Sequence, residues 1–276
     1  MKNTVIFLAK GFSIFCVFAY FAILAYLYVR QADMIYMPDP VQTIPDGFEE
    51  KGYKQITVET EDSEKLVGWY KAPKQNGYVV IFFHGNGGAL RGNWEYLNYV
   101  SNLTDGLLAI DYRGFGGSTG YPSVEGLNQD ALAAFDYLIR QGISEDRIII
   151  MGHSLGTGPA VYLASQKKAA ALILLAGYSS ILDIVQHRFP FYPSRYLLHE
   201  NIDSMTYISS IRMPLFMMHG MQDTIIPYRF GRKLFEAAPE PKQMISPEHE
   251  SHVFIFNPAA MKPMEDYIDA LKSVEK

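Results

Sequence analysis

Residues 152–156 read GHSLG, and this stretch decides the fold. An apolar run, Arg147 to Met151 (RIIIM), precedes it, and a stretch of small residues, Thr157 to Gln166, follows it. The order is typical of a strand, a tight turn that carries one serine, and a helix. A side chain at either glycine would collide with the neighbours of the turn, and a strained turn raises the Ser154 hydroxyl above the sheet. This context favours a catalytic serine over an ordinary surface turn.

Strand-like and helix-like stretches alternate on both sides of this turn. The predicted strands are Gln55–Glu59, Leu66–Lys71, Tyr78–Phe83, Leu107–Asp111, Arg147–Met151, Ala171–Leu175, Leu215–Met218 and Lys242–Ile245. The predicted helices are Leu90–Leu103, Val124–Gln141, Thr157–Lys167, Tyr228–Ala238 and Pro258–Val274. Such alternation predicts an α/β fold, with a mostly parallel central sheet and helices on both faces.

Composition excludes several classes of protein. With 49% hydrophobic and 19% charged residues, the chain is not disordered, and a net charge of −5 argues against a nucleic-acid partner. The only cysteine is Cys16, inside the apolar N-terminal stretch, so residues 34–276 form no disulfide, thiolate nucleophile or cysteine-ligated metal site. We expect those residues to form one α/β domain.

Residues 1–33 are predicted to be a membrane anchor. The run Gly11–Val29 is uncharged, and its nineteen residues reach roughly the 30 Å of a bilayer core. A cleaved signal peptide is the alternative, but the run is long for one and no cleavage site follows; a buried core helix would need a polar face. Lys2 and Lys10 precede the run and Arg30 follows it, which favours a cytoplasmic N-terminus and a domain on the outer, periplasmic or lumenal, side.

The segment Ser179–Met213 interrupts the alternation. It has no clear strand and is rich in Phe, Tyr, Pro and Arg. We interpret it as a small lid over the carboxyl edge of the sheet, where ligands bind in such folds, with an ordinary helical crossover as the alternative. Its aromatic residues are expected to form an apolar wall of a pocket: Phe189, Phe191, Tyr192 and Tyr196. Arg188 and Arg195 either bind an anionic headgroup or, as we prefer, pack their stems with solvated charges.

A serine hydroxyl becomes a strong nucleophile only beside a base, and the base needs a carboxylate to fix its tautomer. Asp223 follows the predicted strand Leu215–Met218 in the sequence HGMQD, which places it at the carboxyl edge of the sheet. Asp203 and Asp183 are the competitors, but both lie inside the lid segment with no comparable strand before them. Asp223 is therefore the predicted acid for Ser154.

The loop after Lys242–Ile245 contains two candidate bases, His249 and His252. We predict His252, because the apolar pair Val-Phe follows it and can anchor it, whereas His249 stands between Glu248 and Glu250. A metal site built from this cluster is the alternative, but the loop lacks a helical His-x-x-x-His pair.

Residues 83–88 (FHGNGG) leave an apolar strand and are predicted to bind the oxyanion of a reaction intermediate. A glycine-rich turn can aim a backbone N–H inward without obstruction from side chains. Asn86 is the predicted donor, with Gly87 as the alternative, and the amide of Leu155, directly after the serine, is the second donor. A phosphate-binding loop is the rival interpretation, but neither nucleotide-binding glycine pattern is complete here.

Together these residues make the chain similar to the α/β-hydrolase superfamily. More narrowly, it resembles the single-pass, N-terminally anchored hydrolase-domain proteins that are grouped with serine aminopeptidase-like or dienelactone-hydrolase-like enzymes. The order and spacing of the motifs match from Ile56 to Leu271. The matching blocks are HGNGG at His84–Gly88, DYRGFGGSTGYPS at Asp111–Ser123, GHSLG at Gly152–Gly156 and PLFMMHGMQDTIIP at Pro214–Pro227.

The resemblance implies a catalytic triad and an oxyanion hole, with no metal and no organic cofactor. The triad is Ser154, Asp223 and His252, and the hole is built from Asn86 and Leu155. The chain departs from the family in one place, since Glu-Ser-His-Val stands where a Gly-x-Gly-His-Asn loop is common. The resemblance also implies a serine hydrolase of a carboxylic ester or thioester. The short insertion Ser179–Met213 predicts a small to medium acyl group, and the anchor favours substrates that partition into lipid. A serine peptidase and a catalytically silent anchored binding protein are the alternatives.

Overall fold

The computed structural model of this protein describes residues 2–74 and 77–273, and its centre is one eight-stranded sheet. The strands are β1 (Tyr53–Glu59), β2 (Lys65–Lys71), β3 (Val79–Phe83), β4 (Gly106–Ile110), β5 (Ile148–His153), β6 (Ala171–Leu175), β7 (Leu215–Met218) and β8 (Lys242–Ile245). Their spatial order is β1-β2-β4-β3-β5-β6-β7-β8. Only the β1–β2 and β2–β4 pairs are antiparallel, so the predicted, mostly parallel sheet is confirmed.

Helices cover both faces of the sheet, as the alternating pattern predicts. In the described residues they are α1 (Lys2–Val29), α2 (Gln31–Ile35), α3 (Trp94–Thr104), α4 (Val124–Arg140), α5 (Thr157–Gln166), α6 (Ile181–Arg188), α7 (Ser194–Leu197), α8 (Met205–Ile208), α9 (Tyr228–Ala237) and α10 (Pro258–Ser273). In β3, Val79, Ile81 and Phe83 join the core beneath α4 and α5. Val80 and Phe82 join the core beneath α3 and α10, because successive side chains of a strand point to opposite faces.

The predicted boundaries agree with the structure to within a few residues, with one change of type. Residues Leu90–Asn93 form a 3₁₀ turn, and the α-helix begins only at Trp94. Gly92, a poor helix former, lies in that turn. The predicted end of the last helix, Val274, lies outside the described residues.

Helix α1 is long and apolar enough to cross a membrane. Its candidate span, Thr4–Val29, has 26 residues and a mean hydropathy of 2.2, and no part of it is buried in the domain. A signal sequence near the N-terminus can meet the same criteria of length and composition. The exposed helix does not fit the alternative of a core helix.

The lid segment, Ser179–Met213, contains three short helices, α6, α7 and α8, and connects β6 to β7. An isolated antiparallel β-bridge joins Ser180 to Asp203, so the chain before α6 and the chain before α8 lie side by side. The segment is thus a helical crossover between two parallel strands. Its first helix, α6, also lies over the carboxyl edge of the sheet, as expected of a lid.

Candidate active site

The turn between β5 and α5 has the strained conformation that the two glycines predict. Ser154 has a φ of +53°, in the left-handed region that side chains avoid. A Cβ on Gly152 would lie 2.4 Å from the carbonyl oxygen of Gly156, and a Cβ on Gly156 would lie 2.1 Å from that of Phe83. Both positions therefore require glycine, and the turn brings the serine hydroxyl to the carboxyl end of β5.

The structure brings Ser154, His252 and Asp223 into one hydrogen-bonded chain. The Nε2 atom of His252 lies 2.9 Å from Ser154 Oγ, and its Nδ1 atom lies 2.7 Å from Asp223 Oδ2. Since a carboxylate only accepts, Nδ1 carries the proton and Nε2 is the acceptor for the serine hydroxyl. This is the arrangement in which a histidine can remove the proton of a serine.

Asp223 is held in place by two backbone amides and a second histidine. Its Oδ1 atom accepts hydrogen bonds from the amides of Ile225 (2.9 Å) and Ile226 (2.8 Å). Its Oδ2 atom lies 3.3 Å from Nε2 of His219. Burial would raise the pKa of Asp223, but the hydrogen bonds from His219 and His252 outweigh it and hold that pKa well below its usual range. The carboxylate stays ionised and fixes the orientation of His252.

The competing candidates lie elsewhere. Asp183 pairs with Lys233 at 2.7 Å on the outside of the lid segment. Asp203 accepts a hydrogen bond from the Met205 amide at 3.0 Å. His249 is exposed. None of the three is among the hydrogen-bond partners of Ser154 or His252 in the described residues.

The alternative metal site in the β8 loop has no structural support. Within residues 2–74 and 77–273, no three His, Cys, Asp or Glu side chains are grouped as ligands for an ion. Glu250 instead accepts a hydrogen bond from Asn257 Nδ2 at 2.6 Å.

Three further buried histidines surround the site, and the sequence analysis gave them no role. His84 follows β3, His153 is the last residue of β5, and His219 follows β7. In the sequence, each of them lies beside a glycine or the serine at the end of a strand, and this position was the only sequence feature that could have indicated a role at the site. The ring Nε2–H of His153 donates to the backbone carbonyl of His252 at 3.3 Å. Burial and the neighbouring His252 lower the pKa of His153 to about 3, so it is a neutral donor.

Asn86 and Leu155 both line the cavity above Ser154, and the peptide unit in front of each is held by a side chain. Thr157 Oγ1 donates to the carbonyl of Ser154 at 2.7 Å. Nδ1 of His84 lies 2.7 Å from the carbonyl oxygen of Gly85. Burial lowers the pKa of His84 to about 4, so this ring is also neutral. A carbonyl and the following N–H share one planar peptide, so these bonds fix the directions of the Leu155 and Asn86 amides.

The side chain of Asn86 ties this loop to the segment that follows the N-terminal helices. Its Oδ1 atom accepts from the Met37 amide at 2.9 Å, and its Nδ2 atom donates to the carbonyl of Ile35. The Gly88 amide donates to the Met37 carbonyl at 3.3 Å. Residues 35–37 are thus part of the site, although they lie some fifty positions from the loop in the sequence.

A cavity of about 480 Å³ opens above Ser154. Its apolar walls come from Ile181 and Ile184 of α6, from the turn after Asp223, and from residues 35–37. The expectation that the lid aromatics form this wall is wrong: Phe189, Phe191, Tyr192 and Tyr196 are not among the lining residues. Phe191 and Tyr196 are 93% and 84% exposed. Helix α6 turns its isoleucines inward, and the aromatics follow after the helix has ended.

Comparisons with known proteins agree with this geometry. The sequence profile of the family described as the α/β-hydrolase fold matches residues 78–202. A Mycobacterium tuberculosis protein described as uncharacterized is 33% identical over 232 residues, which cover 81% of this chain and 80% of that protein. The chain belongs to the α/β-hydrolase family. An Arabidopsis thaliana relative, the α/β-hydrolase domain-containing protein WAV2, is 29% identical over 205 residues, or 67% of each chain.

Solved structures support the same fold assignment. An esterase from Pyrococcus furiosus superposes with a TM-score of 0.66 and 21% sequence identity, over 86% of this α/β-hydrolase and 96% of the esterase. At that identity the likeness establishes the fold alone. The α/β-hydrolase family and its fold support a hydrolytic activity in general.

Proposed function

We propose that this protein is a serine hydrolase that cleaves a carboxylic ester or thioester through an acyl-enzyme on Ser154. The observation that carries the proposal is the chain of hydrogen bonds from Ser154 through His252 to Asp223, which opens into an apolar cavity. A nucleophile, a base and an orienting carboxylate at these distances are the requirements of acyl transfer.

In the first step, Ser154 Oγ attacks the acyl carbonyl while His252 Nε2 takes its proton. Asp223 keeps the proton on Nδ1 and stabilises the imidazolium that forms. The amides of Asn86 and Leu155 donate to the oxyanion as it develops. His252 then returns the proton to the leaving alcohol or thiol, and the acyl group remains on Ser154.

In the second step, water replaces the leaving group. His252 removes a proton from the water, the hydroxide attacks the acyl-enzyme, and the same two amides hold the second oxyanion. Collapse of this intermediate releases the carboxylic acid and returns the proton to Ser154.

The substrate's acyl group is small to medium and apolar, since isoleucines dominate the cavity wall. We expect the highest kcat/KM for acyl chains of about four to eight carbons, because each enclosed methylene contributes only about 1 kcal/mol and the lid is short. A series of p-nitrophenyl esters from two to sixteen carbons measures this. If kcat/KM continues to rise up to sixteen carbons, the pocket accepts long acyl chains and the expectation is wrong.

Helix α1 is, in this proposal, an uncleaved membrane anchor with a cytoplasmic N-terminus and the hydrolase domain on the outer side. Its length, its apolar composition and its exposed surface support the anchor. The protein should stay in the membrane fraction after carbonate extraction, and protease added outside should digest the domain. A mature N-terminus beyond residue 30 in the soluble fraction would contradict the anchor.

The deciding experiment uses a fluorophosphonate probe, which reacts with activated serines. We expect the full-length wild type to be labelled and to hydrolyse p-nitrophenyl butyrate, and the Ser154→Ala variant to do neither. Ser165→Ala, a change in α5, is the matched control and should be labelled like the wild type. A folded wild type that neither reacts nor turns over short esters would identify a catalytically silent protein.

A further inference from the structure

The lid segment carries exposed aromatic side chains that the cavity does not use. Phe189 is 54% exposed, and Phe191 and Tyr196 are more exposed still. Arg188 precedes these residues and Arg195 lies among them, within the sequence RFPFYPSRY. Scattered apolar side chains on a surface are ordinary, but several on one short loop mark a contact surface. Aromatic and arginine side chains together are typical of segments at the interface between a membrane and water.

The residues directly after this aromatic loop, which comprises residues 188–196, are fixed to the end of the N-terminal helices. Gln31 Nε2 donates to the carbonyl of Leu197 at 2.5 Å, and Gln31 Oε1 accepts from the His199 amide at 2.9 Å. The ring of Tyr28, in the last turn of α1, lies 4.9 Å from the ring of His199. Tyr36 donates to Glu200 at 3.0 Å. The lid is thus bonded to the chain on both sides of the point where α1 ends.

The length of α1 places these contacts at the membrane surface. Its candidate span of 26 residues extends about 39 Å at 1.5 Å per residue, whereas the hydrocarbon core is about 30 Å thick. The last turn, with Tyr28, therefore lies in the interfacial layer. His199 contacts that turn, so the aromatic loop, which ends three residues earlier, lies in or beside the same layer.

The cavity is lined by residues that lie close in the sequence to these contacts. The cavity lining includes Ile35, the last residue of α2, and Met37, and it includes Ile184 and Arg188 of α6. The aromatic loop begins where α6 ends. Residues from both segments that meet at the end of α1 therefore contribute to the cavity lining.

We propose that the aromatic loop is a second membrane contact, in which Phe189, Phe191 and Tyr196 insert into the lipid interface and the cavity takes its ester substrate directly from the bilayer. The proposal rests on the proposed anchor and hydrolase activity, and it narrows the substrate to esters that partition into lipid. Arg188 and Arg195 lie at the height of the headgroups, where their charges stay solvated.

The contact is tested by the depth of a fluorophore in vesicles. Full-length protein with Cys16→Ser and Phe191→Cys is labelled with an NBD dye and reconstituted into phosphatidylcholine–phosphatidylglycerol vesicles. We expect a blue-shifted emission and strong quenching by lipids that carry a shallow spin label. The control is Ile139→Cys on the same background, because Ile139 is 39% exposed at the end of α4, by the amino edge of the sheet. Equal quenching at both positions, or none at Phe191, overturns the proposal.

A kinetic experiment tests the consequence for substrate access. The double variant Phe191→Asp and Tyr196→Asp should hydrolyse soluble p-nitrophenyl butyrate at the wild-type rate. Its rate on dioctanoylglycerol embedded in the same vesicles, whose acyl chains fall within the range expected for the cavity, should fall at least about tenfold. An unchanged ratio of the two rates overturns the proposal, while the hydrolase function stands. If the wild type hydrolyses neither ester, the proposed function fails, and the quenching result still decides whether the loop enters the membrane.

Discussion

The floor and the roof of the cavity are built in different ways. The floor consists of the turns after β3, β5 and β7 together with the loop of His252. Ser154, His252, Asp223 and the three further histidines are buried there, and a Cβ on Gly152, Gly156 or Gly220 would lie within 2.4 Å of a backbone carbonyl oxygen. The roof consists of α6 and residues 35–37. Its side chains are half-buried or exposed apart from that of Tyr36, which is buried, and it comes from parts of the chain far apart in the sequence. The chemistry therefore lies on rigid strand ends, while selection of the substrate lies on segments that the sheet does not constrain.

The sharpest test of the floor is the choice between its two histidines. His252→Ala should lower kcat/KM for p-nitrophenyl butyrate by about 10³-fold or more, because the general base is lost. His249→Ala should keep at least about a tenth of the activity, as expected for a peripheral exposed residue. The reverse pattern would assign the role of base to the exposed His249 rather than to the buried His252.

The second test addresses the bond between floor and roof. Asn86→Ala keeps the backbone N–H but removes the hydrogen bonds to residues 35 and 37. At about 1 kcal/mol for each bond, we expect a loss of about ten- to thirtyfold, mainly in kcat, because the amide is no longer held in place. Asn102→Ala, an exposed change in α3, is the control. An effect on KM alone would show that Asn86 shapes only the roof.

The third test concerns the roof alone. Ile184→Ala removes part of the apolar wall, so kcat/KM for a butyryl ester should fall about three- to tenfold, since a few methylene contacts are lost. The optimum in a chain-length series should move towards longer acyl groups, and labelling by the fluorophosphonate should persist. Gln186→Ala on the same helix should change neither quantity. Loss of labelling would mean that α6 supports the floor as well.

The last test concerns stability rather than activity, at a buried acid behind the floor. Burial raises the pKa of Asp111 to about 7, and its Oδ1 atom lies 3.5 Å from Nε2 of His84. An aspartate in the unfolded chain ionises near pH 4, so the native state binds the extra proton between about pH 4 and 7. The contribution of this group to stability is therefore greatest at low pH and is lost as the pH rises through 7.

Asp111→Asn mimics the protonated acid and should remove that dependence. Relative to the variant, the wild type should become less stable between pH 5 and pH 8, which melting temperatures of the detergent-solubilised protein would show. Titratable groups that the two proteins share affect both melting temperatures equally, so the difference between the two melting temperatures reports on Asp111 alone. Parallel curves would mean that Asp111 is ionised throughout this range.

The sequence alone was sufficient for the sheet and for much of the floor. Continuous apolar runs such as those of β3 and β5, alternating with helix-like stretches, are typical of strands inside a parallel sheet, so their positions could be predicted. The GHSLG turn was recognisable because the tight turn requires a glycine on each side of the serine, one of them against the turn itself and the other against the end of β3. The proposed acid and base came from their positions after strands, and the structure brings both to Ser154. Buried His84, His153 and His219 left only a faint signal, a histidine beside a glycine or the serine at a strand end.

The tertiary structure alone decided the roof. No local pattern links Ile35 and Met37 to Asn86, because their contacts join segments fifty residues apart. The lid aromatics were predicted to line the pocket because apolar side chains prefer burial. Hydrophobicity alone does not determine which surface will cover a given side chain. Where helix α6 ends, the loop turns outward, and Gln31 fixes it beside α1. Tight turns and apolar runs can be recognised from the sequence, whereas contacts between distant segments form only when the chain folds.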